Sequence, residues 1–181
     1  DNFLKTLIGL SNKKIITKNN QWVKKCKKIK ALIPAYEKES NKNRSNYISP
    51  YEFYIKISQL MGSNDNICPC SSGGAETTFM QTFQFKDRQT CINNKALASM
   101  GYGLAGAIGL GLSDKKKRTC LFEGDGGFTQ NLQEIGTAVW NKLNLKIFIF
   151  YDNGYASIRM TQKNYFKGKY VGCDDKTGLL F

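Results

Sequence analysis

Two acidic residues carry the chemistry of this chain. Asp125 sits in Gly124-Asp125-Gly126-Gly127-Phe128 and Asp152 in Asp152-Asn153-Gly154-Tyr155. The two are 27 residues apart. Carboxylates are hard oxygen donors that suit Mg²⁺ or Ca²⁺. Glycines leave backbone N–H groups open to an anion. Together they suit a divalent cation that holds a diphosphate. The plainer alternative is a tight turn followed by an unrelated Asp-Asn turn.

The elements around these residues position them. Residues 119–123 (TCLFE) and 145–151 (LKIFIFY) read as buried strands. Leu132, Ile135 and Val139, with Ala138, space out one amphipathic helix between them. A strand–helix–strand unit makes the strands parallel neighbours with a right-handed crossover. Both acids then stand at the C-terminal ends of adjacent strands, where open α/β sheets bind ligands. Upstream, Ser49-Pro50-Tyr51-Glu52 opens a helix, with Ser49 as cap and Tyr51, Tyr54, Ile55, Ile57 and Leu60 as its apolar face. Residues 66–70 (NICPC) form a short strand, followed by a loop over 71–75. Residues 100–112 are rich in Gly and Ala. Each helical Gly costs about 1 kcal/mol against Ala, so such a helix is useful only where something packs against its backbone.

Composition bounds the rest. The 181 residues, 41% hydrophobic, are enough for one domain with a core. No run approaches the roughly 18 apolar residues of a membrane span. The chain opens on Asp1 without a signal sequence and reads as a piece of a longer protein, with 1–48 an upstream connector and linker helix. Within it, residues 1–20 read as an irregular end and 21–38 as a helix ended or kinked by Pro34. Residues 49–181 then form a single domain, truncated at its C-terminus. Asn43-Arg44-Ser45 matches a glycosylation sequon by chance. The six cysteines show no metal-ligand spacing and there is no His, so buried thiols in a reducing cytoplasm are the better reading. The net charge of +13 raises nucleic-acid binding. The lysines, however, cluster on a linker helix and a turn without interleaved aromatics, so neither nucleic acid nor membrane is the expected partner.

The Gly-Asp-Gly…Asp-Asn spacing resembles the thiamine-diphosphate motif, with Asp152 in place of the motif's second Asn and Tyr151 in place of its first. Residues 98–109 (ASMGYGLAGAIG) and 154–162 (GYASIRMTQ) resemble acetolactate synthases and related 2-oxo-acid enzymes. The resemblance covers roughly 20–181 and implies the C-terminal, diphosphate-binding domain of such enzymes: a parallel sheet with helices on both faces. It implies thiamine diphosphate and Mg²⁺ as cofactors. Asp125, Asp152 and the Gly154 carbonyl would be the metal ligands. Met100 would lie beneath the bent cofactor and the Ala98 carbonyl would meet its amino group, although Ala98 stands where Gly is usual. Gly124, Gly126, Gly127, Tyr155, Ala156, Ser157 and Ile158, with Gly74 and Ala75, would surround the diphosphate.

The resemblance implies a parent enzyme that decarboxylates a 2-oxo acid, with pyruvate as donor, and transfers the product to an acceptor. The parent would be a homo-oligomer, dimer or tetramer. The activating Glu of that family lies in another domain, so this chain would hold no catalytic residue and be inactive alone. A split decarboxylase or C–C lyase subunit, or a non-catalytic remnant, are the other readings.

Overall fold

The computed structural model describes residues 2–13, 20–44 and 46–178. The chain divides into two compact units, Asp1–Glu37 and Lys38–Phe181. This boundary falls inside the 1–48 connector read from composition, ahead of its end. Residues 38–48 are tied onward: the Ser49 N–H donates to Asn43 Oδ1 at 2.7 Å, and Arg44 and Tyr47 exchange backbone hydrogen bonds. Ser45 of the sequon and the last three residues, 179–181, lie outside the described residues.

The first unit contains α1 (Asn2–Asn12) and α2 (Asn20–Leu32). The irregular end expected over 1–20 is instead helical across Asn2–Asn12, because Leu4, Leu7 and Ile8 recur at helical spacing. Residues 14–19 of that stretch are not among those described. Helix α2 stops at Leu32, ahead of Pro34, whose ring cannot continue a helix.

The second unit runs α3 (Pro50–Leu60), β1 (Asn66–Pro69), α4 (Gly73–Thr82), β2 (Thr90–Cys91), α5 (Tyr102–Ser113) and β3 (Thr119–Gly124). It continues with α6 (Asp125–Thr129), α7 (Ile135–Trp140), β4 (Leu145–Phe150) and α8 (Ala156–Tyr165). Ser49 caps α3 as expected, accepting the Glu52 N–H at 3.4 Å, with Pro50 in the first turn. The strands form a four-stranded sheet in the order β2-β1-β3-β4 among the described residues. Every pairing is parallel. Ile67, Cys120, Phe122, Phe148 and Phe150 point to one face, where they meet Phe53 and Tyr54 of α3 and Phe79 of α4. Cys68, Leu121, Leu145 and Ile147 point to the other, against Leu104, Ala107 and Ile108 of α5 and Ala138 of α7. Period-two alternation thus splits the core into two layers with helices on both faces. Phe122 is the hub of the first layer, with ring contacts to Phe53, Tyr54, Phe79, Phe83 and Phe148.

Two further expectations change. The loop over 71–75 is cut short, because α4 already starts at Gly73 with Ser72 at its cap position. The single helix expected between the motif strands is broken into α6, a 3₁₀ turn at Leu132–Glu134 and α7. Asn131 leaves helical geometry there and its side-chain amide donates to the Gly101 carbonyl at 2.6 Å. Leu132 and Val139 consequently face outward, while Ala138 is buried.

Candidate functional site

β3 and β4 lie in register, with Gly124 beside Phe150. Asp125 and Asp152 therefore emerge at the same sheet edge. Asp125 is buried, and its carboxylate binds backbone. Oδ1 accepts the Gly126 N–H at 2.7 Å, and Oδ2 accepts the N–H groups of Asp152 at 3.1 Å and Gly154 at 3.0 Å. A carboxylate offers about four lone-pair positions, so these bonds leave capacity for a cation.

The turn after β4 is held in a sparse conformation. Asn153 has φ +63° and Gly154 φ +121°, both left-handed. A Cβ on Gly154 would fall 2.3 Å from the Cys173 carbonyl oxygen, so only glycine fits. Arg159, one turn into α8, donates to the carbonyls of Asp152 at 2.6 Å, Asn153 at 2.9 Å and Cys173 at 3.3 Å. It also lies 3.4 Å from Asp152 Oδ1. Burial, and then the Asp125 charge, push the Asp152 carboxyl up to about 6; Arg159 opposes both.

The facing wall comes from the other side of β3. Ser71 Oγ donates to the Ser99 carbonyl at 2.6 Å, which holds the segment carrying Ala98 and Met100 against the end of β1. Ala98 itself has φ +52°. Met100 is 44% exposed. It therefore faces the cavity rather than the core, and Gln130 Nε2 approaches its sulfur at 3.8 Å. Gly74 and Ala75 lie in the first turn of α4.

The space between these walls is a cavity of about 1160 Å³. Gly74, Ala75, Ala98, Met100, Gly124, Asp125, Gly126, Gly127, Asp152, Gly154, Tyr155, Ala156, Ser157 and Ile158 all line it. Ligand pockets typically run about 300–1,000 Å³, so this space admits a whole cofactor. Apolar groups, among them Ile48, Phe148, Phe150 and Met160, line the remainder. The residues fit a diphosphate held by a hard cation: two carboxylates at one end, and a glycine cradle in which a Cβ on Gly126 would sit 1.9 Å from the Tyr155 ring.

Glu123 also lines the cavity, and sequence reasoning passed over it as a strand residue. Its carboxylate lies against two glycines. A Cβ would come within 1.7 Å of it from Gly103 and within 2.5 Å from Gly127. Gly103 is thus one reason α5 is glycine-rich. Burial pushes the Glu123 carboxyl up to about 7. Its Oε2, Glu76 Oε1 and Tyr54 Oη are buried without hydrogen-bond partners among the described residues. The available signal was a charged residue in an otherwise apolar strand, directly before Gly124.

The family described as "Thiamine pyrophosphate enzyme, C-terminal TPP binding domain" matches residues 71–180. The acetolactate synthase large subunit of Lactococcus lactis is 26% identical over 155 residues, covering 85% of this chain and 26% of that protein. A pyruvate decarboxylase of Aspergillus fumigatus is 37% identical over 106 residues, covering 57% of this chain and 18% of that protein. Among solved structures, a thiamine diphosphate-dependent 4-hydroxybenzoylformate decarboxylase of Rhodococcus jostii superposes with a TM-score of 0.66 at 16% identity, over 82% of this chain and 27% of that one. The likeness to that structure is one of fold. The chain spans about a quarter of the length of the first of these relatives. With the family match covering most of its second unit, the chain belongs to the thiamine pyrophosphate enzymes, through their C-terminal TPP binding domain.

Proposed function

We propose that this domain binds thiamine diphosphate through Mg²⁺ and serves a 2-oxo-acid decarboxylating and carboligating enzyme of the acetolactate synthase kind, with pyruvate as donor. The observation that carries the reading is the pair of hydrogen bonds that Asp125 Oδ2 accepts from the N–H groups of Asp152 and Gly154. They lock two strand ends into one oxygen-rich corner of a cofactor-sized cavity.

In this reading the carboxylates of Asp125 and Asp152 and the Gly154 carbonyl hold Mg²⁺. Among the described residues no third His, Cys, Asp or Glu joins them, so this corner would need further oxygen donors from outside the protein to hold the cation. The backbone N–H groups of Gly127, Ser157 and Ile158 would bind the diphosphate, with Gly74 and Ala75 opposite; the Gly126 N–H is taken by Asp125 Oδ1, so Gly126 contributes room rather than a donor. The Ala98 carbonyl and Met100 orient the ring end. Phe148, Phe150 and Met160 give the cavity apolar lining that disfavours water. When bound, thiamine diphosphate supplies the electron sink for decarboxylation and the nucleophilic carbon for carboligation. The chain contains no His, and its cavity carboxylates are committed to the metal or packed on glycines. It therefore holds the cofactor without turning over a 2-oxo acid by itself.

The pyruvate decarboxylase relative supports a second reading with the same cofactor and a proton as acceptor. Products of the complete enzyme separate the two: acetolactate for the first, acetaldehyde for the second. In either reading the working form is a homo-oligomer in a reducing cytoplasm, consistent with six free cysteines. No helix among the described residues is long and apolar enough to cross a membrane.

Titration calorimetry with thiamine diphosphate, with and without Mg²⁺, tests the binding reading. Saturable, Mg²⁺-dependent binding is expected. No binding at millimolar cofactor and metal would point to a remnant and overturn the assignment.

A further inference from the structure

We propose that Arg159 is the positioning residue of this site: it latches the left-handed Asn153–Gly154 turn so that Asp152 and Gly154 stay facing Asp125. The metal role of that corner rests on the function proposed above, whereas the latch itself does not.

The turn does not hold itself. Gly154 takes its positive φ freely, but Asn153 is a non-glycine residue in the left-handed region, a conformation that persists only where the surrounding structure over-determines it. Asp125 restrains the turn through its N–H groups. Arg159 takes hold of its first two carbonyls, those of Asp152 and Asn153. The same guanidinium reaches the Cys173 carbonyl, which also accepts the Tyr155 N–H at 3.0 Å. One planar fork thus ties the turn to the segment behind it. Arg is suited to this because its donors are spread in a rigid plane, whereas a Lys ammonium is a single point. Arg159 does not line the cavity, although its neighbours Ile158 and Met160 do. It acts from behind the turn, not on a ligand.

The guanidinium also stands by Asp152, which brings a second negative charge beside Asp125. Removing Arg159 therefore loosens the turn and takes its positive charge away from Asp152, beside Asp125.

Two readouts on the full chain test this. The first is amide hydrogen exchange without metal or cofactor, in the wild type, Arg159→Met and Arg159→Lys. In Arg159→Met the Asp152 and Gly154 amides should exchange about tenfold faster or more, while β1 and β3 amides keep their protection; Arg159→Lys should fall between. Retained protection in the strands shows that the variants fold. Unchanged exchange at Asp152 and Gly154 overturns the latch, whatever the cofactor result. The second readout is the Mg²⁺ concentration for half-maximal binding of thiamine diphosphate, which should rise by about tenfold in Arg159→Met. If the latch is lost and the Mg²⁺ requirement does not move, Arg159 is structural only and the positioning role fails. If the wild type itself binds no cofactor while the exchange result holds, the function reading fails and the latch stands.

Discussion

Asp125 Oδ2 accepts the N–H of Gly154 at 3.0 Å, across 29 residues of sequence. The Asp152 N–H shares that oxygen. One carboxylate therefore shapes the turn whose side chain and carbonyl it would share a cation with. Each contact to it is charge-assisted, which makes such bonds roughly twice as strong as neutral ones.

Asp125→Ala removes a ligand and the clasp together. Mg²⁺-dependent binding of thiamine diphosphate should vanish in calorimetry, and the Gly154 amide should lose protection. Affinity equal to wild type would sink the metal assignment.

Two glycines of α5 should respond oppositely to alanine. Ala is favoured over Gly in a helix by about 1 kcal/mol. At Gly109 nothing lies within 4 Å of the added Cβ, so Gly109→Ala should stabilise by up to that amount. At Gly103 the Cβ meets the buried Glu123 carboxylate, and overpacking costs about 1–3 kcal/mol. Gly103→Ala should therefore be destabilised in urea titrations. Equal shifts in both variants would show that Glu123 moves freely.

Glu123 gives the metal-free chain a pH signature. The unfolded carboxyl releases its proton near 4.5, whereas the folded one keeps it to about 7 because burial disfavours the anion. Cys70 and the Gly124 N–H oppose that shift only in part. Between those values the folded state binds more protons than the unfolded state, so this group's contribution to stability falls as pH rises from about 4.5 to about 7. Above that it is level. Comparing Glu123→Gln with wild type in denaturant titrations across the window isolates the effect. An identical pH slope in the two proteins would show that Glu123 is ionised in the fold.

Large apolar side chains stand exposed in Lys38–Phe181, with Trp140 at 86% and Val139 at 69%. Both lie on α7, outside the core. Extensive apolar exposure marks association surfaces. Sedimentation should show concentration-dependent self-association that the Val139→Ser/Trp140→Ser pair weakens by about tenfold or more. A wild type that stays monomeric at high concentration would remove the support for an oligomer.

Much of the site was legible in the residues. Strands 119–123 and 145–151 announced themselves as apolar runs, each followed by an acid, and adjacent parallel strands must end at one edge. Gly103 and Gly154 were legible as glycines but not as necessities, because the atoms that exclude a Cβ come from Glu123 and Cys173. The helix break at Asn131 was hidden for a similar reason: periodicity reports one face, and it is the Gly101 carbonyl, thirty residues away, that takes the Asn131 amide.

Local periodicity and fixed spacing are enough for the parallel α/β arrangement, for the edge at which Asp125 and Asp152 meet, and for the resemblance to thiamine-diphosphate enzymes. The fold was needed to show that Asp125 clasps the Gly154 turn, that Arg159 holds it from behind, and that Glu123 is buried between glycines of α5 and α6. Those relationships join atoms far apart in the chain. Their energies come from burial and backbone hydrogen bonds that exist only once the sheet has closed and water has been excluded.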